Sequence, residues 1–274
     1  SDASVGGADN IDAGDGDNYI LGGAGGDTIT SGDGNDTILG DFGKIAYTGA
    51  GVITEAVTTD VDQGGDDIIR AGDGDNVILG GFGNDVIISG QGRDLIAGDN
   101  ADLLFTNGRV TSLTTTDVSE ATGGGDTIDA GDGDNIVLGG VGADTITGGS
   151  GNDFILGDNG RFTLTAAGVL TYATTADVTL GGDDTIHAGA GNNVILGGSG
   201  SDTITTLDGA DIILGDNGSF TYTDGGILTL ATTSDASVGG ADNIDAGDGD
   251  NIVLGGFAND NIATGAGNDT VIGD

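Results

Sequence analysis

The chain has 274 residues, with 45 Asp/Glu against 5 Lys/Arg for a formal charge of −40, and 60 Gly but no Pro, Cys, Met or Trp. Large side chains are too sparse for an ordinary core, and carboxylates at this density repel one another, so the chain either stays disordered or is neutralised by cations. The cations Lys44, Arg70, Arg93, Arg109 and Arg161 stand singly, which excludes nucleic acid and disfavours an anionic membrane, and no apolar run nears the ~18 residues of a membrane span.

From the N-terminus onward the sequence steps in nines. Residues 22–30 read GGAGGDTIT, residues 80–88 GGFGNDVII and residues 139–147 GGVGADTIT. A branched residue recurs at Ile11, Ile20, Ile29 and Ile38, then at Ile69, Ile78, Ile87 and Ile96. It returns at Ile128, Val137, Ile146 and Ile155, at Ile186, Ile195, Ile204 and Ile213, and at Ile244, Val253, Ile262 and Val271. Two residues before each of these stands an Asp or an Asn. The triplet around the branched residue reads as a very short strand with that side chain inward and its neighbours outward. The Gly-rich hexad reads as a turn. Strands this short persist only when stacked, at ~4.8 Å, into two parallel sheets around an aliphatic ladder. Gly recurs too often for helix, and no 3.6-residue apolar period is present.

A longer period lies over the first. The AG pair that opens the second repeat of each set ends at Gly14, Gly72, Gly131, Gly189 and Gly247, so the spacings are 58, 59, 58 and 58 residues. Four nonapeptides plus an insert of roughly twenty residues make one module. The predicted modules are residues 5–63, 64–121, 122–180, 181–238 and 239–274, within one continuous solenoid over 1–274. Residues 1–18 and 234–251 are identical, and with no initiator Met or leader the chain reads as an excerpt of a longer tandem array. Each insert alternates apolar residues about a turn: Ile45, Tyr47 and Val52; Leu103, Phe105 and Val110; Phe162, Leu164 and Val169; Phe220, Tyr222 and Ile227. That pattern predicts a β-hairpin after every fourth nonapeptide, all four leaving one edge of the solenoid. The hairpins follow Asp41, Asp99, Asp158 and Asp216, with Asp274 in the same place, and end near Asp60, Asp117, Asp177 and Asp235. These acids read equally as extra cation ligands or as turn caps. The insert aromatics read as packing on the roll, with a partner-binding stripe as the other reading, and His187 reads as a surface residue.

The nonapeptide GGxGxDxUx resembles the repeats-in-toxin, or haemolysin-type calcium-binding, family. The resemblance covers the rungs, about two-thirds of the chain, and not the inserts. It implies an all-β parallel β-roll with two nonapeptides per coil, in which calcium lies between stacked turns and takes carboxylate and Gly carbonyl ligands. Carried onto this chain, it pairs Asp9 with Asp27, Asp67 with Asp85, Asp126 with Asp144, Asp184 with Asp202 and Asp242 with Asp260. On the other side it implies Asp36, Asp94, Asp153, Asp211 and Asp269. There the alternate rungs depart from the motif, carrying Asn18, Asn76, Asn135, Asn193 and Asn251. This side is expected to bind calcium less strongly, unless Asp15, Asp17 and their equivalents substitute. The donor chemistry agrees: Ca²⁺ takes six to eight hard oxygens in tolerant geometry, Mg²⁺ insists on an octahedron and holds its waters, and Zn²⁺ finds one His and no Cys.

No nucleophile–base set or cavity points to catalysis, so the chain reads as a non-enzyme. The resemblance implies several calcium ions, secretion or display outside the cell, and folding there. The expected role is a structural or adhesive segment of a bacterial protein, a rigid spacer or a surface-layer or filament building block. Self-association through the hairpins is a further expectation, without nucleic acid or membrane insertion. The alternative is the calcium-folding tail of a type I-secreted enzyme or toxin.

Overall fold

The computed structural model describes residues 6–235 and 237–273; Asp274 lies outside them. It is all-β, a parallel β-roll of stacked nonapeptides. One ten-stranded parallel sheet runs from Asn10–Gly14 to Asn261–Ala263, and a second runs from Tyr19–Leu21 to Thr270–Ile272. Successive nonapeptides alternate between the two, so residues 18 apart stack, as Ile11 does on Ile29 and Ile20 on Ile38. The stacking continues across each insert, with Ile29 on Ile69 and Ile96 on Val137. Between the sheets the branched side chains form a single buried ladder, with Ile29, Ile69, Ile146 and Ile204 at 0% exposure. The turns need glycine where coils touch: Gly133 has φ 140°, and a β-carbon there would strike the Gly92 carbonyl of the coil below.

The two sheets differ on their outer faces. In the first sheet the neighbours of the buried Ile are mostly short and polar, such as Thr145 and Thr147 or Thr203 and Thr205, and that face is open. In the second sheet they are apolar on both sides, as in Val77 and Leu79, Ile136 and Leu138, or Ile212 and Leu214. A strand with apolar residues at three successive positions needs cover on both faces, and the hairpins supply it. The triplet neighbours thus point outward in both sheets, as read, and in the second sheet they meet the hairpin layer.

All four inserts are hairpins, formed by Gly43–Tyr47 with Ile53–Thr58, Ala101–Thr106 with Arg109–Thr115, Gly160–Leu164 with Leu170–Thr175, and Gly218–Tyr222 with Leu228–Thr233. They leave one side of the roll and pair with one another, Leu103 opposite Ala56, Leu113 opposite Phe162 and Ala173 opposite Phe220. The result is one eight-stranded antiparallel sheet along the rod. Its inner face, with Leu103, Leu113, Phe162 and Phe220 at 0% exposure, closes a second core over Leu79, Leu138, Leu156 and Leu196. Phe162 and Phe220 thus pack on the roll as expected, whereas Tyr47 stays 43% exposed, its ring edge-on to Tyr19 at 5.5 Å.

Candidate metal edges of the roll

The turns form two columns, one at each edge of the roll. At the first edge every rung ends on an aspartate, and each main-chain N–H donates to the carboxylate of the next coil. Asp9 N bonds Asp27 Oδ1 at 2.7 Å, Asp67 N bonds Asp85 Oδ1 at 2.8 Å, and Asp126 N bonds Asp144 Oδ1 at 2.7 Å. Asp184 N bonds Asp202 Oδ1 at 2.9 Å and Asp242 N bonds Asp260 Oδ1 at 3.2 Å. All five sequence-predicted pairs are therefore brought together. The column is also unbroken between modules, because Asp27 N reaches Asp67 Oδ1 at 2.6 Å and Asp85 N reaches Asp126 Oδ1 at 2.7 Å. These bridges span 40 and 41 residues, so the nine-residue step does not reveal them.

From Asp27 onward each of these carboxylates spends one oxygen on the ladder, while Asp9 is exposed and joins it through its N–H. The other oxygen, Oδ2 of Asp27, Asp67, Asp85, Asp126, Asp144, Asp184, Asp202, Asp242 and Asp260, is buried and has no donor. It faces a main-chain carbonyl across a glycine. A β-carbon on Gly22 would overlap both Asp27 Oδ2 and Gly40 O, one on Gly98 both Asp126 Oδ2 and Gly139 O, and one on Gly157 both Asp184 Oδ2 and Gly197 O. Acceptors converging on acceptors in a buried place are costly unless a cation lies among them. The titration behaviour agrees. Burial pushes Asp67 up to about 7 and Asp242 up to about 8, the neighbouring carboxylates adding to the shift. It raises Asp85, Asp126, Asp144 and Asp184 well above the usual carboxylate range. No three acidic, His or Cys side chains converge on one point among the described residues. A cation at this edge would therefore take a large share of its ligands from Gly carbonyls, and an all-oxygen set of that kind suits calcium.

The second edge alternates Asn with Asp, and the amides change its chemistry. The ladder persists, with Asn76 N donating to Asp94 Oδ1 at 2.8 Å and Asp94 N to Asn135 Oδ1 at 3.0 Å. Each amide nitrogen turns back onto the turn carbonyls: Asn135 Nδ2 donates to Gly131 O, Gly133 O and Gly148 O at 3.1, 3.2 and 3.1 Å, and Asn18 Nδ2 to Gly14 O and Gly16 O at 2.9 and 2.6 Å. At alternate rungs an N–H₂ thus does for the carbonyls what a cation would do. The intervening Asp36, Asp94, Asp153 and Asp211 keep an unpaired Oδ2. Burial raises Asp94 to about 6 and Asp153 to about 7, opposed by hydrogen bonds from Asn76 and Asn135, which matches Asp67 but falls short of the most deeply buried acids of the first edge. Asp269 accepts from Asn251 N at 3.0 Å. Asp15 and Asp17 stand apart from this buried column. They form an outer, exposed ladder in which Asp15 accepts from Asp33 N at 3.2 Å and Asp17 from Asn35 N at 2.9 Å.

The insert acids make capping hydrogen bonds, and Asp41 also keeps a buried Oδ1 without a donor, so the readings as turn cap and as extra cation ligand both stand. Asp99 Oδ1 accepts from Gly124 N at 3.0 Å and its Oδ2 from Val141 N at 2.5 Å, which ties the start of a hairpin to the next two rungs. Asp158 is held likewise by Gly182 N and Ser199 N, Asp216 by Gly240 N and Phe257 N, and Asp41 by Phe82 N. At the far end of the inserts, Asp60, Asp177 and Asp235 sit at φ 53°, 46° and 53° in turns, while Asp117 folds inward and accepts from Asn100 Nδ2 at 3.0 Å. His187 is exposed, as read from its place in the rung.

The family comparison bears on this geometry directly. The family model for the RTX calcium-binding nonapeptide repeat (4 copies) matches residues 5–43, 63–96, 114–146, 129–161, 189–219 and 238–271. The chain belongs to that family and is a calcium-binding repeat protein. Comparison with curated proteins returned no match.

Proposed function

We propose that this chain is a structural or adhesive segment of a secreted or cell-surface bacterial protein, a rod that calcium folds outside the cell, with no catalytic role. The observation that carries the calcium sites is the first edge, where buried Asp Oδ2 atoms and Gly carbonyls face each other with no donor between them. Asp27, Asp67, Asp85, Asp126, Asp144, Asp184, Asp202, Asp242 and Asp260 would hold a file of ions there, with Asp36, Asp94, Asp153, Asp211 and Asp269 as weaker positions opposite. Calcium supplies positive charge between coils that otherwise repel. The protein's own contributions are the Gly turns that expose carbonyls and the N–H ladder that fixes each carboxylate's orientation. A rod built from repeated modules, with its second core spread along its length, suits a spacer or filament better than a catalytic scaffold. Circular dichroism tests the reading. In excess chelator at pH 7 the chain should be coil. With ~10⁻⁴–10⁻³ M calcium, the range of extracellular modules, it should gain β signal, and equal magnesium should do much less. Full β structure in chelator at pH 7 would refute it.

A further inference from the structure

The hairpin sheet is electrically unlike the rest of the molecule. Its strands and turns, residues 43–58, 101–115, 160–175 and 218–233, contain Lys44, Arg109 and Arg161 against Glu55, Asp102 and Asp224, a net charge of zero, so the remaining chain carries all of the −40. The Asp-rich turn edges of the rod repel a copy of themselves, and this face does not. Many of its outward side chains are short and uncharged, among them Ser112, Thr114, Thr163, Thr174, Ser219 and Thr232, with Leu104 and Leu230 exposed between them, a surface suited to sheet-on-sheet approach at ~10 Å.

Two outward charges on this face form no ion pair among the described residues, although Lys44 lies near enough to Asp102 to offset part of its upward shift. Asp102 has a buried Oδ1 with no hydrogen-bond donor. Arg161 lies over the Tyr172 ring at 5.6 Å and has no carboxylate within ion-pair distance among the described residues, where Lys44 and Glu55 do pair. Both are cross-strand neighbours of one residue: Asp102 stands opposite Thr114, and Thr114 stands opposite Arg161. Leu103, Leu113 and Phe162, next along the same strands, face the roll at 0% exposure, so Asp102, Thr114 and Arg161 form an outward row. The row is symmetric about Thr114 in position and antisymmetric in charge. A two-fold axis lying along the strand through Thr114, in the plane of the face, sets Asp102 of one copy over Arg161 of the other, and the reverse.

We infer that the hairpin sheet is a self-complementary docking face for a second copy of this chain, closed by two reciprocal Asp102–Arg161 pairs about Thr114. It deepens the structural reading above by naming the surface through which rods associate laterally, and it places that surface on the polar side of the hairpins, since their apolar side is occupied by the roll.

Sedimentation velocity on the calcium-loaded chain tests this. A dimer is expected, weakened on raising salt from ~0.05 to ~0.5 M because screening shortens the reach of the pairs. Asp102→Arg and Arg161→Asp should each weaken dimerisation by about tenfold or more, because each sets like charges face to face at two places. The double variant should restore the parent value to within about threefold, as a charge swap does for a real pair. Thr114→Glu, which sets two carboxylates at the axis, should abolish the dimer. Circular dichroism and calcium titration of each variant should match the parent, so a calcium-folded protein that stays monomeric would overturn the docking face and leave the calcium reading standing. A double variant no better than the single ones would also overturn it.

Discussion

The amide at the second edge does a cation's work, and Asp202→Asn on the first edge isolates that effect. Asp202 Oδ1 accepts from Asp184 N at 2.9 Å, and its buried Oδ2 faces Gly215 O across Gly197. Asparagine keeps the accepting Oδ1 and replaces the other oxygen with a donor, as Asn135 presents on the second edge. Burial, with Asp184 adding to it, pushes the Asp202 carboxyl up to about 10. Without metal at pH 7 the folded state must therefore take up a proton that the unfolded chain does not hold. From the ordinary carboxylate value of 3.8, the cost is about 4 kcal/mol at pH 7 and about 2 kcal/mol at pH 5. A group raised on folding contributes fully below its unfolded pKa and loses that contribution as pH rises through the folded one. The advantage of asparagine in chelator should therefore be large at pH 7, small at pH 5 and gone below about pH 4. Asp202→Ala removes the same proton uptake but leaves Asp184 N without its acceptor, so it should be about 1–3 kcal/mol less stable than the asparagine variant at every pH. The pH at which the chain folds in chelator, followed by circular dichroism, reads these differences, asparagine folding at higher pH than alanine, and calorimetry in calcium should show the asparagine variant binding at least one ion fewer. If the asparagine and alanine variants fold at the same pH in chelator, the amide does not stand in for the ion.

The same shifts make the metal-free fold acid-dependent. In chelator the chain should gain β signal as pH falls through about 8 to 4, spanning Asp242 at about 8, Asp67 at about 7 and Asp94 at about 6, and calcium binding at pH 7 should release protons into weak buffer. Gly40→Ala should remove a cation position, since its methyl group would overlap Asp67 Oδ2 and Gly80 O, whereas Gly7→Ala, with no atom within 4 Å, should leave the calorimetric stoichiometry unchanged. Asn135→Asp takes away the N–H₂ that satisfies Gly131 O, Gly133 O and Gly148 O. It should add one ion and raise the calcium needed for folding, and an unchanged stoichiometry would contradict the role given to that amide.

Much of this architecture is written in periodicity. The branched column from Ile11 to Val271 fixes the coil and the inner ladder, and the Asp and Asn two residues before it fix the two edges, because one nonapeptide is one half-coil. The hairpins are legible from alternation about residues 48–51, 106–109, 165–168 and 223–226. Their destination is less plain, although a signal exists: Val77-Ile78-Leu79 and Ile136-Val137-Leu138 carry apolar residues on both faces, unlike Thr28-Ile29-Thr30, and so demand a third layer. The roles of Asp99, Asp158 and Asp216 are not legible, since their N–H partners lie on rungs 24 to 42 residues away. Nor does composition reveal that Asp102 and Arg161 flank one threonine, because that depends on how neighbouring hairpins register.

The pairing of hairpin with hairpin sets a metre for the whole chain. Four nonapeptides make two coils, which rise by two strand spacings, about 9.6 Å, and a hairpin two strands wide occupies the same about 9.6 Å along the axis. Rung and insert are therefore commensurate, and the outer sheet closes without gap or overlap. An insert after every coil would crowd twice the strands into the available length, and one after every third coil would leave an unpaired strand-wide slot with Leu or Val of the second sheet bare beneath it. Lengthening or shortening such a chain is consequently quantised: whole modules of 58 or 59 residues can be gained or lost, while loss of a single nonapeptide would swap the two faces of every rung beyond it.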